Sequence, residues 1–475
     1  MLVWLAVFGG GGTVGVLLNY LMSGWIVHIT LGSEYRGAAD LLVWIAAAHA
    51  LQAIQDVFEL MICSQRRIQL QVVLQVGGGN GVGAQRFHSD SEARGTRGGH
   101  RNLHGAGVVM HFEFLPGRRS RSSLPSRCRS MTVQRVLHVG PLLEGSTTLQ
   151  RMNAMKSLGH QVYPVDSFRE VDQRHERDLT RRILTRVLGP IDWAGANGQI
   201  RRAVKEQEFD LVWIDKGLTV SQSTLKDVRE RLPRCKVVGY SPDDMTYPAN
   251  QSRSFIAGLP LYDIYFTTKS YGVAEIKALG CPRVEFVGNA YDPNTHHPLP
   301  VSPEDRARLG GSVGFIGQWE EERVQFLTHL GQNGIEVRVW GLTWERCRAR
   351  HSNLRIENVP LWSRDYALAL CAFDINLGFL RKVNRDLQTT RSIEIPACGA
   401  FMLAERTNEH LDLFVEGKEA EFFEGKGELL EKVQYYLAHP EKRRAIAAAG
   451  RERCLRSGYS NTERMRWCIE IAIGH

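Results

Sequence analysis

A short basic segment in the last third of the chain has the side chains needed to hold an anion. Arg381, Lys382, Arg385 and Arg391 fall within eleven positions, next to the predicted start of a helix. Arginine and lysine side chains, together with the free backbone N–H groups at a helix start, are suited to a phosphate or diphosphate group. The segment therefore predicts an anion site, and a solvated basic face is the alternative.

The predicted helix adds hydroxyl and carboxylate groups to this segment. Thr389 and Thr390 are expected to cap the helix start and to present their hydroxyls. Arg391 and Glu394 are three positions apart, so they share one face of the helix. That face predicts a binding surface with one cation and one carboxylate, and a structural ion pair is the alternative.

An acidic pair, Asp243 and Asp244, closely follows a predicted strand at residues 237–240. Ligands of parallel α/β sheets bind at the carboxyl ends of the strands, so this position suits a general base that takes a proton from a hydroxyl. Adjacent side chains diverge, and we favour Asp244 of the two. Turn and cap hydrogen bonds are the alternative role. For His296, a packing or hinge role is the alternative to a functional one.

The elements that must position these residues form two successive α/β blocks. Buried strands are predicted at 135–140, 162–165, 211–214, 237–240, 264–267, 284–287, 314–317, 337–340, 375–377 and 401–403. Helices are predicted after the first strand and at 320–332, 364–371, 390–398, 427–438 and 441–456. Alternating strands and helices in two blocks predict an α/β protein with two doubly wound Rossmann-like domains facing across a cleft. The cleft is the expected ligand site.

The net charge of +8 over 475 residues is concentrated in one stretch. Residues 77–130 hold nine arginines and three acidic residues, with 11 glycines and 7 serines, and we expect a disordered linker there. A nucleic-acid-binding tail is one alternative, disfavoured because few aromatic residues are interleaved for stacking. Translated out-of-frame sequence that joins two genes, with Met131 as the natural start of the second protein, is the other.

Residues 1–76 contain two apolar runs: residues 2–31 have no Lys, Arg, Asp or Glu, and residues 41–63 form a weaker run that carries Asp56 and Glu59. This length predicts one or two membrane-type helices and membrane association through residues 1–63. The stretch at 31–39, L-G-S-E-Y-R-G-A-A, followed by an apolar helix, resembles the late helices of polysaccharide flippases. Two helices are too few for a transporter, so we expect an anchor or a remnant.

The nine cysteines are odd in number and include no C-x-x-C pair. They predict reduced thiols and a cytoplasmic catalytic body, and no zinc site is expected.

Several ordered motifs identify a family. The stretch R-S-I-E-I-P-A-C-G-A-F-M-L at 391–403 is followed by E-H-L-D-L-F at 409–414 and Y-L-A-H-P at 436–440. Upstream lie S-P-D-D at 241–244 and F-I-G-Q-W at 315–319. This order resembles the CgeB-like, spore-maturation type branch of the group 1 GT-B glycosyltransferases, over nearly all of residues 131–475.

The resemblance implies domain boundaries at 131–306 for an acceptor domain and 307–460 for a nucleotide-sugar domain, with a terminal helix at 461–475 crossing back to the first domain. The implied reaction moves a sugar from a nucleotide-sugar donor to an acceptor hydroxyl, without metal or other cofactor, in surface polysaccharide, glycoconjugate or spore-coat assembly. The acceptor is a sugar, a lipid-linked group or a protein, and no nucleic acid is involved. A non-catalytic nucleotide-sugar-binding or scaffold protein is the alternative.

The resemblance also assigns roles to residues. Glu394 would bind the ribose hydroxyls, and Asp386 stands where related enzymes place a glutamate near the donor sugar. The basic residues would stabilise the leaving diphosphate, which makes a metal unnecessary. The expected donor-binding set is Gly317, Arg323, Arg381, Lys382, Arg385, Asp386, Thr390, Arg391, Glu394 and Gly399.

Overall fold

The computed structural model of the protein describes residues 132–168, 185, 189–347 and 351–474. The predictions for residues 1–76 and 77–130, including the membrane-type helices and the disordered linker, lie outside these residues. Within the described ranges, no helix combines the length and the apolar character that crossing a membrane requires.

The first half of the described chain is built on a parallel sheet. Its strands are β1 (Arg135–Gly140), β2 (Gln161–Asp166), β3 (Leu211–Asp215), β4 (Lys236–Ser241), β5 (Ile264–Thr267) and β6 (Val284–Phe286). They pair in the order β2-β1-β3-β4-β5-β6. The helices of this half are α1 (Thr147–Ser157), α2 (Ala196–Glu206), α3 (Gln222–Arg231), α4 (Arg253–Gly258) and α5 (Gly272–Ala278). All five residues of β3 are buried, as expected for a parallel strand covered on both faces.

The second half repeats this architecture. Its strands are β7 (Gly311–Ile316), β8 (Val337–Trp340), β9 (Leu354–Ile356), β10 (Phe373–Gly378), β11 (Met402–Glu405) and β12 (Glu421–Phe423). They pair in parallel in the order β12-β11-β10-β7-β8-β9, so the strand order reverses between β7 and β10. Its helices are α6 (Pro303–Leu309), α7 (Glu321–Gln332), α8 (Ser363–Ala372), α9 (Arg391–Ala397), α10 (Asn408–Leu413), α11 (Lys426–Ala438) and α12 (Pro440–Arg456). The predicted pair of doubly wound α/β halves is confirmed.

The last helix, α13 (Asn461–Ile473), leaves the second half and packs on the first. Its buried residues Cys468 and Ile469 join a core cluster with Val136 of β1 and Trp213 of β3. The chain therefore crosses between the halves twice, once before α6 and once before α13. The two crossings are hydrogen-bonded to each other at Tyr291, whose N–H donates to the Tyr459 carbonyl at 3.1 Å and whose carbonyl accepts from the Asn461 N–H at 2.8 Å.

Candidate functional site

A cavity of about 380 Å³ lies between the two halves. It borders the carboxyl end of β7, next to the point where the strand order of the second sheet reverses and where such sheets bind ligands. The first half contributes Gly145, Thr147 and Gln150, at and just before the start of α1. The linker between the halves and the second half contribute His296, Gly317, Arg323, Trp362, Tyr366, Arg381, Thr390, Arg391 and Glu394.

Arg323 on α7 is a buried cation in the wall of this cavity, with 4% of its surface exposed. Its Nη1 donates to the carbonyl of Gln318 at 2.7 Å and its Nη2 donates to that of Leu380 at 3.0 Å. Its buried Nε has no hydrogen-bond partner among the described residues. Burial, and then the neighbouring Arg391, lower the pKa of Arg323 to about 10, so the guanidinium remains charged at neutral pH.

Arg381 and Arg391 complete a basic wall of three arginines. The Nε of Arg381 lies 3.4 Å from Oε1 of Glu320, and Arg323 Nη2 lies 3.4 Å from the same oxygen. Arg391 is the first residue of α9, and its buried Nε also has no hydrogen-bond partner within the described part of the chain. Arg323 and Arg381 share the carboxylate of Glu320, and Arg391 adds a third cation to the cavity wall, so the basic wall can bind an anion.

The carboxylate of Glu394 lies at the floor of the cavity, where 5% of the residue is exposed. The hydroxyl of Tyr366 donates to its Oε2 at 2.6 Å. The Nε2 of His296 lies 3.8 Å from its Oε1. Burial, and then the charge of Glu394, raise the pKa of Tyr366 well above its usual value, so the phenol keeps its proton and donates to the carboxylate.

The start of α9 is held differently from the prediction. Neither threonine side chain caps the helix: Thr390 makes no side-chain cap, and the N–H of Thr389 donates to Oγ of Ser392 at 3.0 Å. Ser392 Oγ lies 2.7 Å from Nε2 of His410, whose Nδ1 lies 2.6 Å from the carbonyl of Glu405. A carbonyl only accepts, so Nδ1 donates and the Ser392 hydroxyl donates to Nε2. The capping prediction was wrong for Thr390 because this residue has a helical backbone conformation, with φ −58° and ψ −38°, instead of the extended one typical of a capping residue.

The two predicted glycines occupy different places. Gly317 follows β7 in the cavity wall, and its carbonyl accepts a hydrogen bond from Nε1 of Trp344 at 2.8 Å. A Cβ there would lie 2.6 Å from Cζ of Phe315, so the wall requires glycine at this position. Gly399 ends α9 with a φ of +68°, beside Pro298, and is not among the residues that line the cavity.

Arg385 contacts Asp244, one of the two predicted bases, and is not among the residues that line the cavity. Its Nε donates to Asp244 Oδ2 at 2.8 Å and its Nη2 to Oδ1 at 3.2 Å, and it also pairs with Glu275 on α5. Burial raises the pKa of Asp244, but the hydrogen bonds from Arg385 and Thr246 lower it overall. Asp243 pairs with Lys216. Neither aspartate is among the cavity-lining residues.

Lys382 and Asp386 also point away from the cavity. Lys382 pairs with Glu405 at the end of β11. Asp386 forms a buried ion pair with Lys269 of the first half at 2.5 Å. Burial raises the pKa of Asp386 despite this pairing. Asp386 and Arg385 therefore form ion pairs that join the second half to the first. The sequence had predicted donor binding for both side chains.

The structure brings together six of the predicted donor-binding residues, namely Gly317, Arg323, Arg381, Thr390, Arg391 and Glu394. It also adds Tyr366 and Trp362, which were not predicted from the sequence. Trp362 is 58% exposed although it is a large aromatic residue, and it follows the apolar residues Pro360 and Leu361 just before α8. The signal available in the sequence was the apolar stretch V-P-L-W at 359–362, which lies between two predicted elements. In the described ranges, no three His, Cys, Asp or Glu side chains are grouped to hold a metal ion.

Comparisons with known proteins agree with this architecture. A family described as glycosyl transferase-like matches residues 320–470. The crystal structure of Anabaena Alr3699/HepE in complex with UDP and glucose is similar at a TM-score of 0.51 and 12% identity, covering 71% of this chain and 99% of that one. The Candida albicans trehalose-6-phosphate phosphatase N-terminal domain is similar at a TM-score of 0.51 and 11% identity, covering 74% and 99%. No curated protein matched the sequence.

At these identities the two structures establish the fold alone, and the family match covers most of the second half. The described part of the chain thus has two Rossmann-like domains in the GT-B arrangement, and its second domain is similar to the glycosyl transferase-like family.

Proposed function

We propose that the protein is a glycosyltransferase that moves a sugar from a nucleotide-sugar donor to an acceptor hydroxyl. The observation that carries the proposal is the basic wall of Arg323, Arg381 and Arg391 beside the buried carboxylate of Glu394, in one cavity between two Rossmann-like halves. A nucleotide sugar combines the two chemical groups that these residues suit, a diphosphate anion and a set of hydroxyls.

The arginines supply the chemistry that the leaving group needs. When the sugar is transferred, negative charge develops on the nucleoside diphosphate, and fixed cations in a buried site stabilise that charge without reorganising. Arg323, Arg381 and Arg391 all line the cavity and carry the positive charge that this step needs. Because three arginines face the diphosphate position, we propose that transfer proceeds without a bound metal.

The acceptor must lose a proton as it attacks the donor sugar, and the sequence predicts Asp244 or Asp243 as the base. Both aspartates are paired with basic residues and neither lines the cavity. This pairing favours a second candidate function, a non-catalytic nucleotide-sugar-binding protein. Both candidate functions require binding of a nucleotide sugar, and only the glycosyltransferase turns it over.

The finer parts of the proposal rest on sequence resemblance. They are membership of the CgeB-like branch, an acceptor in surface polysaccharide, glycoconjugate or spore-coat assembly, and hexosyl transfer. Membrane association through residues 1–63 rests instead on the apolar composition of that segment. The basic wall and Glu394 are compatible with each of these and depend on none of them.

The direct test is binding of nucleoside diphosphates to the full-length protein by thermal shift. UDP and UDP-glucose are the first probes, because the similar HepE structure contains UDP and glucose, and GDP and ADP follow. A ligand at 100 times its Kd raises stability by about 2.7 kcal/mol, which is a measurable shift. If no nucleoside diphosphate stabilises the protein, the proposal fails. Hydrolysis of the bound donor, measured with and without EDTA, then separates an enzyme from a binding protein and tests metal independence.

A further inference from the structure

We propose that His296 and Glu394 form a clamp for one hydroxyl group of the ligand, and that Tyr366 positions the carboxylate for it. The hydroxyl clamp consists of two atoms that face each other, Nε2 of His296 and Oε1 of Glu394. The inference rests on the proposed function, since a nucleotide sugar offers such hydroxyls on its ribose and on its transferred sugar. His296 would then bind ligand directly.

The tautomer of His296 is fixed by the backbone. The N–H of Asp292 donates to Nδ1 of His296 at 3.0 Å, so Nδ1 is an acceptor and carries no proton. In a neutral imidazole the proton is then on Nε2. The ring therefore directs an N–H toward Glu394, and only 2% of His296 is exposed.

The distance between the two atoms leaves room for a shared partner. Nε2 of His296 and Oε1 of Glu394 are 3.8 Å apart, which is too long for a hydrogen bond between them. Both residues line the cavity. A hydroxyl is the group that can accept from the N–H and donate to the carboxylate at the same time. A ligand without that hydroxyl leaves a buried donor and a buried acceptor unpaired, which is costly.

Tyr366 fixes the other side of the clamp. Its hydroxyl donates to Oε2 of Glu394 at 2.6 Å, so Oε1 is the oxygen left for a ligand. Its ring meets the ring of His296 edge to face, with centroids 5.7 Å apart. Tyr366 thus contacts both members of the clamp, and we assign it a positioning role.

The test uses two variants that divide the functions of the imidazole. His296→Asn keeps an acceptor near Nδ1 for the Asp292 N–H but has no donor at the Nε2 position, whereas His296→Gln can place an amide N–H there. Both are made in the full-length protein, and thermal unfolding checks that they fold. Affinities are measured by calorimetry for UDP, for 2′-deoxy-UDP and 3′-deoxy-UDP, and for UDP-glucose and its deoxyglucose analogues.

We expect removal of the clamped hydroxyl to weaken binding to the wild type about tenfold or more, and to weaken binding to His296→Asn less than about twofold. His296→Gln should keep most of the wild-type discrimination. If the loss of affinity caused by a deoxyribose analogue disappears in His296→Asn, the clamped hydroxyl belongs to the ribose. If the loss caused by a deoxyglucose analogue disappears instead, the hydroxyl belongs to the transferred sugar.

If His296→Asn shows the wild-type penalty for every analogue while UDP still binds, the hydroxyl clamp is wrong and the proposed function stands. If no nucleoside diphosphate binds the wild type, both fail.

The positioning role of Tyr366 has a matched control in the same half. Tyr366→Phe and Tyr436→Phe each remove a tyrosine hydroxyl that donates to a glutamate, at 2.6 Å to Glu394 and at 2.7 Å to Glu421. Tyr436 is not among the cavity-lining residues. We expect only Tyr366→Phe to reduce the discrimination between UDP and the analogue that lacks the clamped hydroxyl. Equal discrimination in the two variants would overturn the positioning role.

Discussion

Arg391 combines a fixed place on a short helix with a position in the cavity wall. It begins α9 in the cavity wall, and its buried Nε has no acceptor among the described residues. Lys382 has the same charge and lies nine residues earlier, but its ammonium group pairs with Glu405 outside the cavity. The two residues therefore separate the effect of a cation that faces the ligand from that of a nearby surface charge.

We predict that Arg391→Met weakens binding of a nucleoside diphosphate by about 10- to 100-fold, because a charged hydrogen bond to phosphate is lost. Lys382→Met should change the affinity by less than about threefold, since an exposed ion pair contributes little. Calorimetric titration of both variants with the diphosphate that binds the wild type measures the difference. Equal losses in the two variants would mean that general surface charge, and not the basic wall, attracts the anion.

At the residue scale, the sequence predicts the residue types of the site better than their directions. Arg391 and Glu394 share a helix face in the sequence and both line the cavity. Arg385 and Asp386 come from the same segment, but they form ion pairs with the first half instead. Residue spacing on a regular helix fixes which side chains share a face. In the irregular segment before α9, where Arg385 has a φ of +48°, spacing fixes no direction.

At the scale of the element, α9 is held in place by His410 of α10. The neutral imidazole links the start of α9, through Ser392, to the end of β11, through the carbonyl of Glu405. Its ring stacks on Phe422 of β12 with centroids 5.4 Å apart. Burial lowers the pKa of His410 to about 4. The helix that carries Arg391 and Glu394 therefore depends on an imidazole that stays uncharged.

This imidazole predicts how stability depends on pH. In the unfolded chain His410 takes up a proton below about pH 6.5, whereas the folded protein resists protonation down to about pH 4. The unfolded state thus gains protons first, and the free energy of unfolding should fall by about 3 kcal/mol between pH 6.5 and pH 4. His410→Gln lacks this pH-dependent contribution to stability. The free energy of unfolding that the variant loses relative to wild type should therefore shrink by the same amount between pH 6.5 and pH 4.

Denaturant unfolding at several pH values measures this change. His297→Gln, at an exposed histidine, controls for the loss of an imidazole. A deficit of His410→Gln that stays constant from pH 7 to pH 4 would contradict the assignment of a neutral buried ring.

The central strands could be predicted from the sequence because they are continuous apolar runs, as at β3 and β5. The edge strands β9 and β12 were missed. Each has three residues, and β12, with the sequence E-F-F, has a glutamate that pairs with Lys432 of α11. A strand this short gives no alternation, and its position depends on the neighbouring strand to which it binds.

At the scale of the whole molecule, α13 makes the first half depend on the end of the chain. Four of its residues, Met465, Cys468, Ile469 and Ala472, are buried in a core cluster with residues of β1, β3, β4 and β5. The first sheet is thus covered on this face by a helix that is 175 residues away from β6 in the sequence.

We predict that Ile469→Asp destabilises the first half selectively, by about 3 to 5 kcal/mol, because it buries an unpaired carboxylate in that core. Hydrogen exchange should show lost protection of the amides in β1, β3 and β4 before those in β7 and β10. Glu470→Asp, at the neighbouring partly exposed position, is the control and should behave as the wild type. Uniform loss of protection in both sheets would mean that the halves unfold as one unit.

The hydrogen bonds at Tyr291 have a consequence for how the cleft can open. The two segments that cross between the halves are joined side by side at Tyr291 and Ser460, so we expect the halves to rotate about this place. His296 lies five residues beyond Tyr291 on the first of these segments. Points close to an axis of rotation move least, so we expect the spacing between His296 and Glu394 to persist while the α1 side of the cleft swings. A bound nucleotide sugar would then stay in place while the acceptor enters, and the nucleoside diphosphate would stay in place while the product leaves.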